Sequence, residues 1–191
     1  WLDGTEPEFR STDDRYVTEE SFKANGSTAL GSVDRYLNAF SLQHSKGMYE
    51  HLSEVTDRRP FILTRSAFAG QQRYATTLWS GDIWASWTVF EDQITAGLNT
   101  GMAGFPYWAA DIGSFITNHR FPEGNDDPAY RELYTRWYQF GAFSPIFRSH
   151  GTNTEREIWH FGEEGTWAYD AIAQADRLRY RLMPYIYTQA W

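Results

Sequence analysis

The sequence predicts an α/β fold, a (β/α)8 TIM barrel of which this chain covers the part from about strand 4 to helix 8. Apolar periodicity alternates between strand-like runs and helix-like stretches from end to end, and repeated strand-then-helix units imply a parallel sheet with helices packed outside. Asp3, Arg65, Asp82, Asp111 and His150 lie at or just past the C-terminal ends of successive strand candidates. In such a barrel these ends open on one face, where active sites are built. A complete barrel takes about 250 residues, whereas 191 residues and five strand candidates are present, so the chain reads as the second half and its start at Trp1 as a cut within an element. An open doubly wound sheet would gather ligand groups from fewer strands, and no Gly-x-Gly-x-x-Gly or phosphate loop supports one. With no repeat, low-complexity segment or linker to divide it, residues 1–191 are expected to form one partial barrel domain without an internal boundary.

Trp1-Leu2-Asp3 is the stub of a strand, followed by a turn-prone segment through Asn25-Gly26. Ser27 is the expected N-cap of a helix from about Thr28 to Val55, because Leu30, Val33, Leu37, Phe40, Met48 and Leu52 recur at helical spacing. Phe61-Ile62-Leu63-Thr64-Arg65 reads as a buried strand and Tyr74 to Trp79 as another, with Val89, Phe90, Ile94 and Leu98 marking the helix after it. A weaker strand runs from roughly Met102 to Ala109 and ends at Asp111. Asp127 caps a helix marked by Ala129, Leu133, Tyr134, Trp137 and Tyr138, Phe143 to Arg148 is a strand candidate despite Pro145, and a helix from about Thr166 to Tyr187 closes the chain.

A net charge of −8 without any basic run argues against nucleic acid or an anionic membrane as partner. No stretch approaches the eighteen or so apolar residues of a membrane span. The absence of Cys excludes disulfides and thiolate metal sites and leaves the compartment open, a periplasmic or secreted setting being placed ahead of a cytoplasmic one. Aromatic residues make up 18% of the chain, with 9 Trp. They furnish core, and several of the Trp are candidates for lining a carbohydrate site.

Asp3 and Asp82 each follow a short apolar run carrying a Trp, namely Trp1-Leu2-Asp3 and Leu78-Trp79-Ser80-Gly81-Asp82. Two carboxyl groups beside indole faces are what cleavage of a sugar–sugar bond requires, one attacking the anomeric carbon and one passing a proton to the leaving oxygen. No Gly-x-Ser-x-Gly or His-Glu-x-x-His competes with this reading, and His44, His51, His119 and His160 lack metal-ligand spacing.

With these residues in view the sequence resembles glycoside hydrolase family 31, the α-glucosidase and α-xylosidase family. Trp1-Leu2-Asp3-Gly4-Thr5-Glu6-Pro7 is similar to the family's Trp-x-Asp-x-x-Glu nucleophile signature, Arg65-Ser66 to the Arg-Ser after its next strand, and Trp79-Ser80-Gly81-Asp82 to its Trp-x-Gly-Asp acid/base segment. Ala110-Asp111-Ile112-Gly113-Ser114-Phe115 resembles Ala-Asp-Ile-Gly-Gly-Phe, departing at Ser114, and Arg148-Ser149-His150 matches the Arg-x-His of the last barrel strand. Ile83 stands where the family usually has Asn after the acid/base.

The resemblance implies a retaining, exo-acting α-glycosidase with Asp3 as nucleophile and Asp82 as acid/base. Asp82 must then hold a proton at rest, which burial against Trp79 and Trp84 would favour. Arg65 is expected to bind substrate and to stand as the cation near Asp3, and Glu6 to be a supporting or capping carboxylate. The resemblance places Asp111 and His150 against the sugar, with Trp79 and Phe115 as aromatic walls and Trp1 next. It calls for no metal or cofactor, for an oligosaccharide or glycoside as partner, and for the remainder of the barrel and flanking β-domains in the full-length protein. Arg148-Ser149-His150-Gly151 with Arg156-Glu157-Ile158-Trp159 looks more like bacterial α-xylosidases than intestinal α-glucosidases. A transglycosylase of the same family would share every motif. A non-catalytic carbohydrate-binding domain would need stacking platforms but no carboxylate pair.

Overall fold

The computed structural model describes residues 1–6 and 19–190. The chain divides into two compact units, Trp1–Leu78 and Trp79–Trp191.

In the first unit α1 (Glu19–Asn25) leads into a two-stranded antiparallel hairpin of β1 (Ser27–Thr28) and β2 (Gly31–Ser32). A short α2 (Val33–Tyr36), one 3-10 turn over Leu37–Ala39 and the longer α3 (Phe40–Val55) follow. The single helix expected from Thr28 therefore begins five residues later and is broken before Phe40. Gly31 has φ +136°, a conformation open to glycine and rare for side chains, and the Thr28 hydroxyl both accepts from Leu30 N–H (3.1 Å) and donates to Gly31 C=O (3.0 Å). That turn chemistry outweighs the helical spacing of Leu30 and Val33. β3 (Ile62–Thr64) and β4 (Thr76–Trp79) pair in parallel, with Ile62 opposite Thr76 and Thr64 opposite Leu78. Every residue of both strands is buried, as expected of parallel strands covered on two faces. Leu2 N–H donates to Leu63 C=O at 2.8 Å and bridges Thr64 in parallel, so the N-terminal stub lies alongside β3.

One fully buried side chain organises the turn after β3. Gln71 donates from Nε2 to Ser45 Oγ on α3 (2.8 Å) and to Ser66 C=O (3.0 Å), and its Oε1 accepts from Phe68 N–H (3.0 Å). Its amide thus fixes the loop that leaves Arg65, at a site where unmade hydrogen bonds would each cost about 1–3 kcal/mol.

In the second unit α4 (Trp87–Met102) starts at Ser86, whose hydroxyl accepts from Val89 N–H, the usual N-cap bond. It runs to Met102, the first residue of the expected weak strand, and that strand is confined to β5 (Trp108–Ala109). Gly97 lets α4 close on β5, since a Cβ there would sit 2.8 Å from the Trp108 ring. Ser80 N–H donates to Ala109 C=O, carrying pairing past the end of β4. α5 (Pro128–Gly141) is capped by Asp127, with Pro128 in its first turn, as its sequence predicts. Its inner face, Tyr130, Leu133, Tyr134 and Trp137, is at most 1% exposed. Tyr134 stacks on Phe161 and Trp137 on Phe90. α6 (Trp167–Gln189) packs against α5.

The expected strand over Phe143–Arg148 does not form. Arg179 of α6 donates to the carbonyls of Ala142, Ser144 and Pro145, and Pro145 has no N–H to give. Only Ile112 N–H to Arg148 C=O and a parallel bridge from Ile112 to Ser149 remain of that pairing.

Candidate active site

The first unit carries one carboxylate in the open. Asp3 is exposed, its Oδ1 accepting from Gly4 N–H at 2.8 Å. Gly4 has φ +58°, a backbone conformation that favours glycine, and among the described residues nothing lies within 4 Å of where a Cβ would stand. Arg65, at the end of β3, places Nη1 3.3 Å from Asp3 Oδ1 and Nη2 2.7 Å from Glu6 Oε1. Beneath them the buried Thr5 hydroxyl lies 2.7 Å from both Thr64 Oγ1 and Ser66 Oγ. This hydroxyl ladder anchors the segment bearing Asp3 to the strand bearing Arg65. The shared guanidinium holds the two carboxyl groups side by side and fixes the direction of Asp3.

The second unit carries the other predicted residues. Asp82 is exposed, just past the turn at Gly81, whose φ is +78°. The chain after it is strapped down: Ile83 C=O accepts from both Phe115 N–H and Ile116 N–H at 3.0 Å, and Ala85 N–H donates to Ile116 C=O at 2.9 Å. The expected burial of Asp82 between two indoles is not found, since Trp84 is itself 50% exposed and the Asp82 turn faces solvent. Trp1 is 62% exposed, whereas Trp79 is 3% exposed and lies under the Arg148 guanidinium, 5.5 Å from ring centroid to carbon. Trp79 therefore packs beneath a cation instead of presenting an open wall. Phe115 and His150, both half-buried, have ring centroids 5.5 Å apart.

Asp111, just past β5, is fully buried and ion-paired with Arg148 Nη1. Burial pushes its carboxyl up to about 7; Asp82 adds to the rise, while Arg148 and Arg156 oppose it. Its Oδ2 has no hydrogen-bond partner among the described residues. A buried carboxyl with one oxygen bound to a guanidinium and one unmet is set to take a hydroxyl or hold a proton.

The Ser114 and Gly151 turns are locked from behind. Arg156 donates from Nη2 to Ser114 C=O (3.0 Å) and from Nη1 to Thr154 C=O, with its guanidinium over the Tyr130 ring. Tyr134 OH lies 2.7 Å from Ser149 Oγ and donates to Arg156 C=O, and burial raises it to about 12, so it stays a donor at any working pH. A Cβ on Gly151 would meet Arg156 Nη2 at 2.2 Å, and one on Gly113 would meet Tyr134 Cδ2 at 2.3 Å. Sequence reasoning did not assign a role to Arg148, to the Thr5–Thr64–Ser66 ladder or to Arg156. A buried Asp seldom lacks a counter-charge, and that rule pointed to Arg148 in the same motif as His150. Among the described residues no group of three or more His, Asp or Glu side chains is arranged to hold a metal ion.

Comparison with known proteins gives the relationship. Residues 1–189 match the model of the glycosyl hydrolases family 31 TIM-barrel domain. An α-xylosidase of Saccharolobus solfataricus is 44% identical over 162 residues, 85% of this chain and 21% of that protein. The crystal structure of a family 31 α-xylosidase from Xanthomonas citri superposes with a TM-score of 0.87 at 45% identity, covering 98% of this chain and 20% of that one. A family 31 dextranase of Flavobacterium johnsoniae, solved with glucose, gives 0.84 at 33% identity over 98% of this chain and 22% of its own. This chain thus spans about a fifth of the length of these relatives. It belongs to glycosyl hydrolase family 31, within the TIM-barrel domain of that family.

Proposed function

We propose that the protein containing this chain is a retaining, exo-acting α-glycosidase that releases terminal α-linked xylose or glucose from oligosaccharides, with this chain supplying barrel strand 4 to helix 8. The observation that carries it is the ion pair between Arg65 and Asp3 on the segment matching the family's nucleophile signature. In the first step Asp3 Oδ forms a bond to the anomeric carbon as the bond to the leaving oxygen breaks, and Asp82 gives its proton to that oxygen. In the second, Asp82 takes a proton from water, whose oxygen displaces Asp3 and restores the original configuration. Asp111 and His150 are assigned to the sugar hydroxyls and Phe115 to its apolar face, with Arg148 positioning Asp111. Xylose is placed slightly ahead of glucose because relatives at 44% and 45% identity are named α-xylosidases, against 42% for relatives named α-glucosidases.

The test uses the full-length enzyme. Asp3→Ala should abolish turnover of aryl α-xyloside and aryl α-glucoside alike, and added azide should restore product as the β-glycosyl azide. An α-configured azide product would refute the roles assigned to the two acids. The ratio of wild-type kcat/KM on the two aryl glycosides decides the sugar.

A further inference from the structure

Arg156 stands behind the ring pair of Phe115 and His150 and reaches the chain beside both. It is 9% exposed, and its guanidinium lies over the Tyr130 ring, 5.7 Å from carbon to centroid. Its donors meet carbonyl oxygens, Nη2 that of Ser114 at 3.0 Å and Nη1 that of Thr154. A planar fork with donors at fixed spacing holds two such oxygens in register, which an ammonium on a flexible stem does not.

Phe115 is fixed through the peptide unit that precedes it. The carbonyl of that unit, on Ser114, accepts from Arg156, while its N–H, on Phe115, donates to Ile83 C=O at 3.0 Å. The next carbonyl, on Phe115, accepts from Thr152 N–H at 2.9 Å. Ser114 sits at φ +75°, a conformation that persists in a residue with a side chain only where the surroundings enforce it. The Arg156 bond is part of that enforcement.

His150 is fixed through the residues on either side of it. Gly151 lies so close to Arg156 that a Cβ would stand 2.2 Å from Nη2. Ser149 Oγ is 2.7 Å from Tyr134 OH, which donates to Arg156 C=O at 2.7 Å. One residue therefore ties together two turns 37 residues apart, and it is across these turns that the Phe115 and His150 rings stand 5.5 Å from each other.

We propose that Arg156 is a positioning residue for sugar binding, which sets the spacing of Phe115 and His150 and acts on turnover through those two rings. The proposal rests on the glycosidase reading above, which assigns both rings to the sugar. Misplacement of a substrate-positioning group by about 1 Å can cost about a hundredfold in rate.

The experiment is a double-mutant cycle in the full-length enzyme, with kcat/KM measured on an aryl α-xyloside and an aryl α-glucoside below the unfolding temperature of each variant. Arg156→Met keeps the length of the stem without its donors and should lower kcat/KM by roughly tenfold to a hundredfold. Arg156→Lys keeps the charge and a donor and should lose less. In a His150→Ala enzyme the same Arg156→Met change should cost no more than about threefold, because one of the rings it positions is already gone. Equal fold-losses in the two backgrounds would show that Arg156 supports the fold alone, and an undiminished kcat/KM in Arg156→Met would show that the turns hold themselves; either overturns the proposal. A wild-type enzyme that cleaves neither glycoside would instead refute the glycosidase reading itself.

Discussion

The segment around Asp3 and the cluster around Asp111 solve the same problem, holding a carboxyl group beside an arginine, in opposite ways. Arg65 is shared between Asp3 and Glu6, whose side chains are 55% and 37% exposed, over a ladder of small hydroxyls. Arg148 is lodged between the Trp79 ring and Asp111, which is 0% exposed. In the open segment water helps to stabilise charge, and the arginine adds direction. In the closed cluster water is excluded, so burial outweighs the ion pair and the carboxyl rises to about 7. The difference fits the roles proposed for the two, Asp3 attacking the anomeric carbon and Asp111 exchanging hydrogen bonds with the sugar.

The largest expected contrast comes from removing each arginine in the full-length enzyme. Arg148→Ala strips a buried carboxyl of its partner and should destabilise by about 3–5 kcal/mol. Arg65→Ala opens a pair that solvent already screens and should cost about 1 kcal/mol or less, while strongly impairing turnover. Chemical denaturation checks both, and equal costs would show that the two environments are not distinct.

The glycines sharpen the same contrast. Gly113→Ala combines φ +78° with a Cβ 2.3 Å from Tyr134, so it should cost about 2–4 kcal/mol, strain and overpacking together. Gly4→Ala has φ +58° and nothing within 4 Å among the described residues, so backbone strain of about 1 kcal/mol is its expected cost. Thermal unfolding of the two variants gives the order directly.

Protonation of Asp111 supplies a third test. Its carboxyl moves from 3.8 to about 7 on folding, so the native state holds a proton that the unfolded chain has already released in that interval. The resulting stability is fully present below about pH 4 and is lost as pH rises through about 7. Asp111→Asn keeps an oxygen for Arg148 and cannot ionise. Between pH 5 and 8 the wild-type Tm should therefore fall more steeply with pH than that of the variant, and identical slopes would remove the buried-acid reading.

These contrasts also mark what could be read from the chain. The positions of Arg65, Asp82 and Asp111 just past β3, β4 and β5 follow from periodicity and motif, because buried parallel strands leave a strong local pattern, whereas the strand expected before His150 does not form. Arg148's role did not follow, since its strand fails to form and its partner is 37 residues away in sequence. Nor did the burial of Trp79 against the exposure of Trp84, five residues apart in one aromatic-rich run. Exposure is settled by what packs on each ring, which composition does not encode. The hairpin at Thr28–Gly31 was hidden for a related reason: one hydroxyl and one positive φ override a helical spacing that is otherwise regular.

The smallest effect concerns Ser114, which stands where the family pattern has glycine. It sits at φ +75°, so its side chain carries left-handed strain of about 1–2 kcal/mol. Against that, its hydroxyl donates to Ile116 C=O at 3.2 Å, a bond contributing about 1 kcal/mol. Ser114→Gly relieves the strain but loses that bond and adds about 0.5–1 kcal/mol of unfolded-state entropy. The terms nearly cancel, and the variant should unfold within about 0.5 kcal/mol of wild type. Ser114→Ala keeps the strain and loses the bond, so it should be the less stable of the two by about 1 kcal/mol. Equilibrium denaturation of both variants decides it: if glycine were the less stable of the two, the strain at this turn would be smaller than the entropy that glycine adds to the unfolded chain.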